Sequence, residues 1–477
     1  MRKIFITFAL FAITASAFAV ENPSNEAVRD TTVLGVKLNQ RTSSWQDYNP
    51  ERGYFQKAFS DKGDPRFMIS NEDDSFEFGI GGTLRMTAFG DFNGSTDHDR
   101  FSVWTVEVPT YNESHVGINV ATSKLFFKSK AKIGKQKLIS YLEINTNEEN
   151  IIKLGKAYVS YGGLTAGKTY SFFMDLAAGV QTVDLRGVNT SVDKTHPLVG
   201  YSFGTKHWDF GIAAEQPDYS VSLFKDLNMR DDYQPIPDFA AKVSYKGKFG
   251  HIQVSGLLRS LAYWSVDKVN KKPIGDVSQM EGVTIDGSSK HNVAYGVSVG
   301  GKINFSDRFF TSFQGVYGKG IHSYINDLGD TKLDMIPEYE YTYDGSICRM
   351  KPLPVIGGYI GLQYNWSKKL SSSLVLGDVY TDIDNFDVIN WDKSLDSYWL
   401  DTKMIDTKNM SYFALNLFYS VNNFLTVGAE FLNGMRWQQN RVGPIFDDKT
   451  GVYYGVTEGG KTRGSANRFN LMFSYSF

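Results

Sequence analysis

One stretch of this chain has the spacing of a chemical motif. Gly162-Gly-Leu-Thr-Ala-Gly167-Lys168-Thr169 fits G-x-x-x-x-G-K-[ST], the loop whose backbone amides cradle nucleotide phosphates ahead of a helix. Tyr170 to Val180 would have to supply that helix, and no alternation of strands and helices follows, so the match is read as a coincidence. Other constellations are weaker. The seven histidines are scattered, with no H-E-x-x-H and no G-x-S-x-G. Asp382, Asp384 and Asp387 miss the spacing of a calcium-binding EF-hand loop. A single cysteine, Cys348, cannot build a disulfide framework or a Cys-cluster metal site. No enzyme, cofactor or metal is expected.

The residues that could act on a solute are basic ones, set in segments that alternate with period two. Phe239, Ala241, Val243 and Tyr245 share one face and leave Lys242 on the other. Ile252, Val254, Gly256 and Leu258 leave His251, Gln253 and Arg259. In the same way Arg85 stands opposite Leu84, Met86 and Ala88, and Lys124 and Lys128 opposite Leu125 and Phe127. Lys156 and Tyr158 stand opposite Ala157 and Val159. Asp91, Glu143 and Asp238 are candidates for the same interior and would offset part of its charge. A basic lining within low-dielectric walls raises the local anion concentration and selects the sign of a passing charge.

The elements that must carry these faces are strands. From Phe76 onward 16 segments alternate, near 75–90, 116–133, 136–146, 151–161, 163–170, 197–204, 207–216, 237–246, 249–262, 292–305, 308–320, 353–366, 370–382, 409–421, 425–436 and 466–477. One face is apolar and the other small or polar, as lipid outside and water inside demand. Short links such as Gly134-Lys135, Gly162, Thr205-Lys206 and Gly247-Lys248 alternate with links of roughly 20–35 residues, apart from a short one at Thr146 to Asn150. This predicts an all-β fold, a 16-stranded antiparallel transmembrane barrel over 75–477, with short periplasmic turns and long extracellular loops. Phe469, Leu471, Phe473, Tyr475 and the final Phe477 share one face, the kind of segment that barrel-insertion machinery reads. Residues about 170–195 follow the fifth strand and carry Phe172-Phe173-Met174 and Leu176-Ala177-Ala178, then Arg186 and Lys194. That apolar content predicts a loop folded into the lumen, where it would set a constriction.

Composition agrees. The chain has 477 residues, 14% of them aromatic, with 45 Gly, 13 Pro and a mean hydropathy of −0.29. After residue 19 there is no apolar run of about 18 residues, which excludes a helical membrane bundle. Arg2 and Lys3, the apolar stretch Ile4 to Ala15 and Ala17-Phe18-Ala19 predict a signal peptide over 1–19. Residues 20–74 read as a polar N-terminal extension with some order around Tyr54-Phe55 and Phe67-Met68. The 50 basic and 52 acidic residues give no argument for nucleic acid as a partner.

Several segments resemble, in order, the DcaP-like trimeric outer-membrane porins: Leu154 to Tyr158, Ala166 to Asp175, Pro237 to Tyr245, Gly250 to Arg259 and Gly318 to Asp327. The resemblance spans roughly residues 75–477. It implies a homotrimer in outer-membrane lipid, passing small organic anions such as dicarboxylates through a basic constriction. It departs in having no heptads in 20–70, and in carrying Lys156 and Lys168 where family members typically have arginine, which keeps charge but loses the bidentate fork. The candidate pore residues are Arg85, Lys124, Lys128, Lys156, Arg186, Lys194, Lys242 and Arg259. Two other readings stay open: a sugar-preferring pore, from aromatics such as Trp391, Trp399 and Trp437, and a surface adhesin acting through the long loops.

Overall fold

The computed structural model describes residues 31–33, 36–40, 67–71, 75–94, 96, 100–110, 114–120, 123–146, 152–184, 186–218, 229–231, 233–268, 286–342, 345–383, 390–392, 397–399, 407–422, 424–438, 443–446, 453–457 and 463–477. The expected signal peptide and Tyr54-Phe55 lie outside them.

Sixteen antiparallel strands close into a barrel. In chain order they are β1 (Phe76–Phe92), β2 (Lys124–Ile133), β3 (Gln136–Thr146), β4 (Ile152–Tyr161), β5 (Leu164–Tyr170), β6 (Thr195–Gly204), β7 (Trp208–Glu215) and β8 (Asp238–Gly247). They continue as β9 (Gly250–Lys268), β10 (Asp286–Asn304), β11 (Phe309–Lys319), β12 (Pro354–Asn365), β13 (Leu370–Thr381), β14 (Thr407–Ser420), β15 (Leu425–Gln438) and β16 (Arg463–Ser476). Each strand pairs with its sequence neighbour, and β16 returns to β1 from Asn467↔Phe92 to Ser476↔Thr83. Closure is what makes strands tolerable in lipid, where an unpaired edge has no water to bond. The 16 segments read from alternation are these strands. The second is interrupted: His115–Asn119 and Lys124–Ile133 both pair with β1, in registers one residue apart.

Faces follow the alternation. On β14, Leu415, Leu417 and Tyr419 are exposed while Ala414, Asn416, Phe418 and Ser420 are buried. Leu84 and Met86 face out from β1, and Arg85 between them is buried. Gly162 (φ 60°) and Gly163 (φ 92°) form the tight turn into β5, so the phosphate-loop pattern belongs to a hairpin.

The seam between first and last strands has two further features. Gly82 and Phe477 exchange backbone hydrogen bonds, both 3.0 Å. Below that point β1 has outrun β16, and its edge is covered by Phe67–Ser70, which pairs from Phe67↔Ile80 to Ser70↔Glu77. Val36–Gln40 pairs in turn with Phe67–Ser70.

A side chain at Gly82 has no room, because its Cβ would come within 2.8 Å of the Lys124 carbonyl and meet the Phe477 ring. Gly82→Val is therefore expected to leave the seam open. The check is gel migration without boiling, in which wild type runs as a compact folded band and the variant as the unfolded one.

Candidate pore and its constricting loop

Residues 171–194, between β5 and β6, run around the inner wall. Ser171 Oγ and the Phe172 amide donate to Glu215 on β7, both at 2.8 Å. On β9, Ser255 Oγ donates to the Phe173 carbonyl (2.8 Å), Gln253 Nε2 to that of Met174 (2.9 Å), and His251 Nε2 meets Asp175 at 2.9 Å. Tyr359 of β12 donates to the Ala178 carbonyl (3.0 Å), while Ser373 of β13 and Asn416 of β14 share that of Gln181 (2.8 Å each). The amides of Val183 and Asp184 donate to Glu430 on β15, at 2.8 and 2.6 Å, and Arg85 on β1 donates to the Val183 carbonyl. The returning limb meets β11, where Gln314 Oε1 accepts from the Val192 amide (3.0 Å).

The loop's apolar residues pack rather than face water. Phe172, Phe173, Met174, Val180, Val188 and Val192 join one buried cluster with Leu198, Ala213, Ala240 and Leu257 of the wall. This revises one inference from sequence. The alternation predicts that small residues on the inner face line water, but several are seats for this loop: a Cβ at Gly200 or Gly211 would strike the Phe172 ring, and one at Gly361 would strike Val180.

One buried carboxylate fastens neighbouring loops to it. Asp327, completely buried, accepts from Ser102 Oγ (2.6 Å) and from the amides of Val103 (2.7 Å) and Trp104 (3.1 Å), and pairs with Arg186 Nε (2.9 Å). It thus joins three loops: the one after β1, the constricting loop and the one after β11. Nearby, Arg259 pairs with Asp238 (2.9 Å) and Asp334 (3.1 Å), donates to the Gly320 and Asp218 carbonyls and lies over the Tyr324 ring.

The loop's hydrogen bonds to the wall reach β7, β9, β11 to β15 and β1. On the remaining arc, β2 to β4 present Lys124, Lys128 and Lys156. Glu143 pairs with Lys156 at 3.0 Å and Lys124 at 3.5 Å, and Lys156 also reaches the Tyr170 hydroxyl at 3.1 Å. Phe126, Tyr141 and Tyr158 stack side by side there, with ring centroids 5.5 Å apart at each step.

The eight sequence-nominated residues therefore fall into groups. Lys124, Lys128 and Lys156 share the arc. Arg85, Arg186, Lys194 and Lys242 belong to or touch the constricting loop, with Lys194 on Asp218 (2.7 Å). Lys242 lies over the Phe172 ring (4.8 Å) and pairs with no carboxylate among the described residues. Arg259 stands apart, saturated by its two aspartates. Sequence reasoning missed Asp327, Asp334, Glu215 and Glu430, which hold the loops; nothing local sets apart an acid whose partners come from distant loops. Among the described residues no cluster of metal-ligating side chains occurs. Asp384 and Asp387 lie outside the described residues, as do the side chains of Cys348, Trp391 and Trp399.

A closed 16-stranded barrel with a loop fastened inside it defines an outer-membrane channel of the porin class. A family model described as porin subfamily matches residues 76–413, and the chain belongs to that family. The outer membrane channel DcaP of Acinetobacter baumannii is similar in fold, with a TM-score of 0.61 at 18% identity over 86% of this chain and 99% of that one. The anion-selective porin from Comamonas acidovorans aligns with a TM-score of 0.46 at 10% identity, over 84% of this chain and all of that one. No curated protein matches the chain by sequence. The resemblance read from the residues is borne out at the level of family and fold.

Replacing Asp327 with Ala would strand Arg186 without its buried partner and leave three donors unanswered, a loss of about 3–5 kcal/mol. The Asp327→Ala barrel is expected to unfold at lower temperature and to show noisier single-channel currents. Burial pushes the His322 imidazole, in the loop after β11, down to about 4. Its free value is near 6.5. The released loop therefore binds the proton more readily, and the loop's attachment weakens as pH falls from about 6.5 towards 4, with no change above. Channel noise recorded at pH 7 and pH 4.5 should rise in wild type and stay level in His322→Gln.

Proposed function

We propose that this porin passes small hydrophilic solutes with a preference for organic anions, along the arc of wall from β2 to β4. The carrying observation is the charge on that arc. Lys124, Lys128 and Lys156 gather on that arc around Glu143 inside a low-dielectric wall, with Lys242 further round. Fields of this kind concentrate counter-ions without any binding chemistry. Solute moves down its gradient, and the loop fixes the aperture. Lysines recognise charge rather than carboxylate geometry, so monoanions and dicarboxylates both fit, as does the anion preference implied by the family resemblance. Cleavage of residues 1–19 after export and insertion through the C-terminal strand belong to the same reading.

We also infer a homotrimer. The support is the family resemblance together with the low wall at β5 and β7, which have 7 and 8 residues where a lipid-facing strand needs about 9–11. Packing barrel against barrel on this side would shield the short strands.

Single-channel recording in planar bilayers under a salt gradient tests both. Wild type is expected to open in threes with an anion-favouring reversal potential. The triple variant Lys124→Gln, Lys128→Gln, Lys156→Gln should conduct with that preference lost or reversed. An unchanged reversal potential would move selectivity away from this arc.

A further inference from the structure

The short turns carry a second basic surface, outside the lumen. Lys135 sits in the β2–β3 turn, Lys206 in β6–β7, Lys248 in β8–β9 and Lys368 in β12–β13. These four side chains are exposed, and none forms an ion pair among the described residues. Asp307 is the single acid that the seven short turns contain. The other end of the barrel is unlike this: residues 382–406, between β13 and β14, hold seven Asp and two Lys.

The depth of these lysines is fixed by aromatic side chains just above them. Trp208 packs on Tyr245 (5.0 Å), Tyr245 on Phe249 (5.9 Å), Phe305 on Phe309 (5.3 Å) and Tyr364 on Trp366 (4.7 Å). Trp208, Phe249, Phe305 and Trp366 are exposed on the outer face. Aromatic girdles mark the level where hydrocarbon gives way to headgroups. A turn lysine one or two residues away in the chain, such as Lys206, Lys248 or Lys368, on a stem long enough to reach outward, therefore meets lipid phosphates rather than open periplasm.

We propose that the periplasmic rim binds anionic phospholipid headgroups of the inner leaflet. The ring of unpaired lysines supplies the charge and the girdle supplies the depth. This rests on the membrane orientation of the porin but not on its solute preference, because the four lysines lie in turns and not on the inward face of a strand. Each base held near an anionic surface contributes about a fivefold gain in association, which salt screens.

The test uses the mature barrel in lipid bilayers, with spin-labelled phosphatidylglycerol and phosphatidylcholine compared for the fraction immobilised at the protein. Wild type is expected to prefer phosphatidylglycerol by about fivefold or more at low salt, with the preference falling in 0.5 M NaCl. The variant carrying Lys135→Gln, Lys206→Gln, Lys248→Gln and Lys368→Gln should bind the two lipids equally. Its folded-band migration and conductance should match wild type, which separates loss of the surface from loss of the barrel. Equal binding of both lipids by wild type, or a preference the variant retains, would overturn the proposal. Lysine-dependent sedimentation with purified peptidoglycan, without any lipid preference, would overturn it in favour of the cell wall.

Discussion

The pairing of β16 with β1 is the constraint on which everything else rests. In hydrocarbon no backbone amide can turn to water, so the sheet is stable only when its last strand finds its first. That fixes an even number of strands once both chain ends lie on one side, and it fixes the diameter. The same event forces a sharp division of side chains, apolar towards lipid and the remainder inward. Gly82 and Phe477 sit where that closure is completed, and the short strand Phe67–Ser70 covers the part of β1 that closure leaves over.

A barrel of this size encloses more space than its wall side chains fill, so chain must enter from the loops. The entering segment faces a hard requirement: its backbone groups leave water and need partners. The structure answers with single polar side chains distributed around the wall. Glu215, Gln253, Ser255, Tyr359, Ser373, Asn416 and Glu430 each take one or two backbone groups of residues 171–184. Glycines such as Gly200, Gly211 and Gly361 make room for the apolar side chains between those bonds. Asp327 then holds its neighbouring loops against the entering one through Arg186, and Asp334 ties the loop after β11 to the wall through Arg259.

The wall was legible in the sequence because a strand's signal is local. Period-two alternation in Phe413 to Val421 states which side chains face lipid without reference to any other strand. The inward position of Arg85 or Lys242 follows from two or three neighbours. The site was legible only in part, because what a basic residue does inside depends on acids far along the chain. Arg259 and Lys242 look alike in sequence, each the odd residue in an apolar alternation. Asp334 lies 75 residues beyond Arg259 and saturates it, while nothing among the described residues does the same for Lys242. The glycines misled for the same reason, since a small residue facing water and one facing a packed ring are written identically.

The way residues 171–194 are fastened has a consequence for how such a channel can change over generations. A segment tied to strands on most of the circumference behaves like a hoop sewn to its barrel rather than a flap hinged at two points. The width of the passage is then a property of the wall's perimeter, and the outermost parts of the loops, beyond the stretches that Asp327 and Arg259 hold, can lengthen, shorten or alter their surfaces without touching it. Exposed loops are what phages and antibodies meet first. Variation there, over an aperture sewn in place, lets a cell alter what it shows to the outside while its diet stays the same.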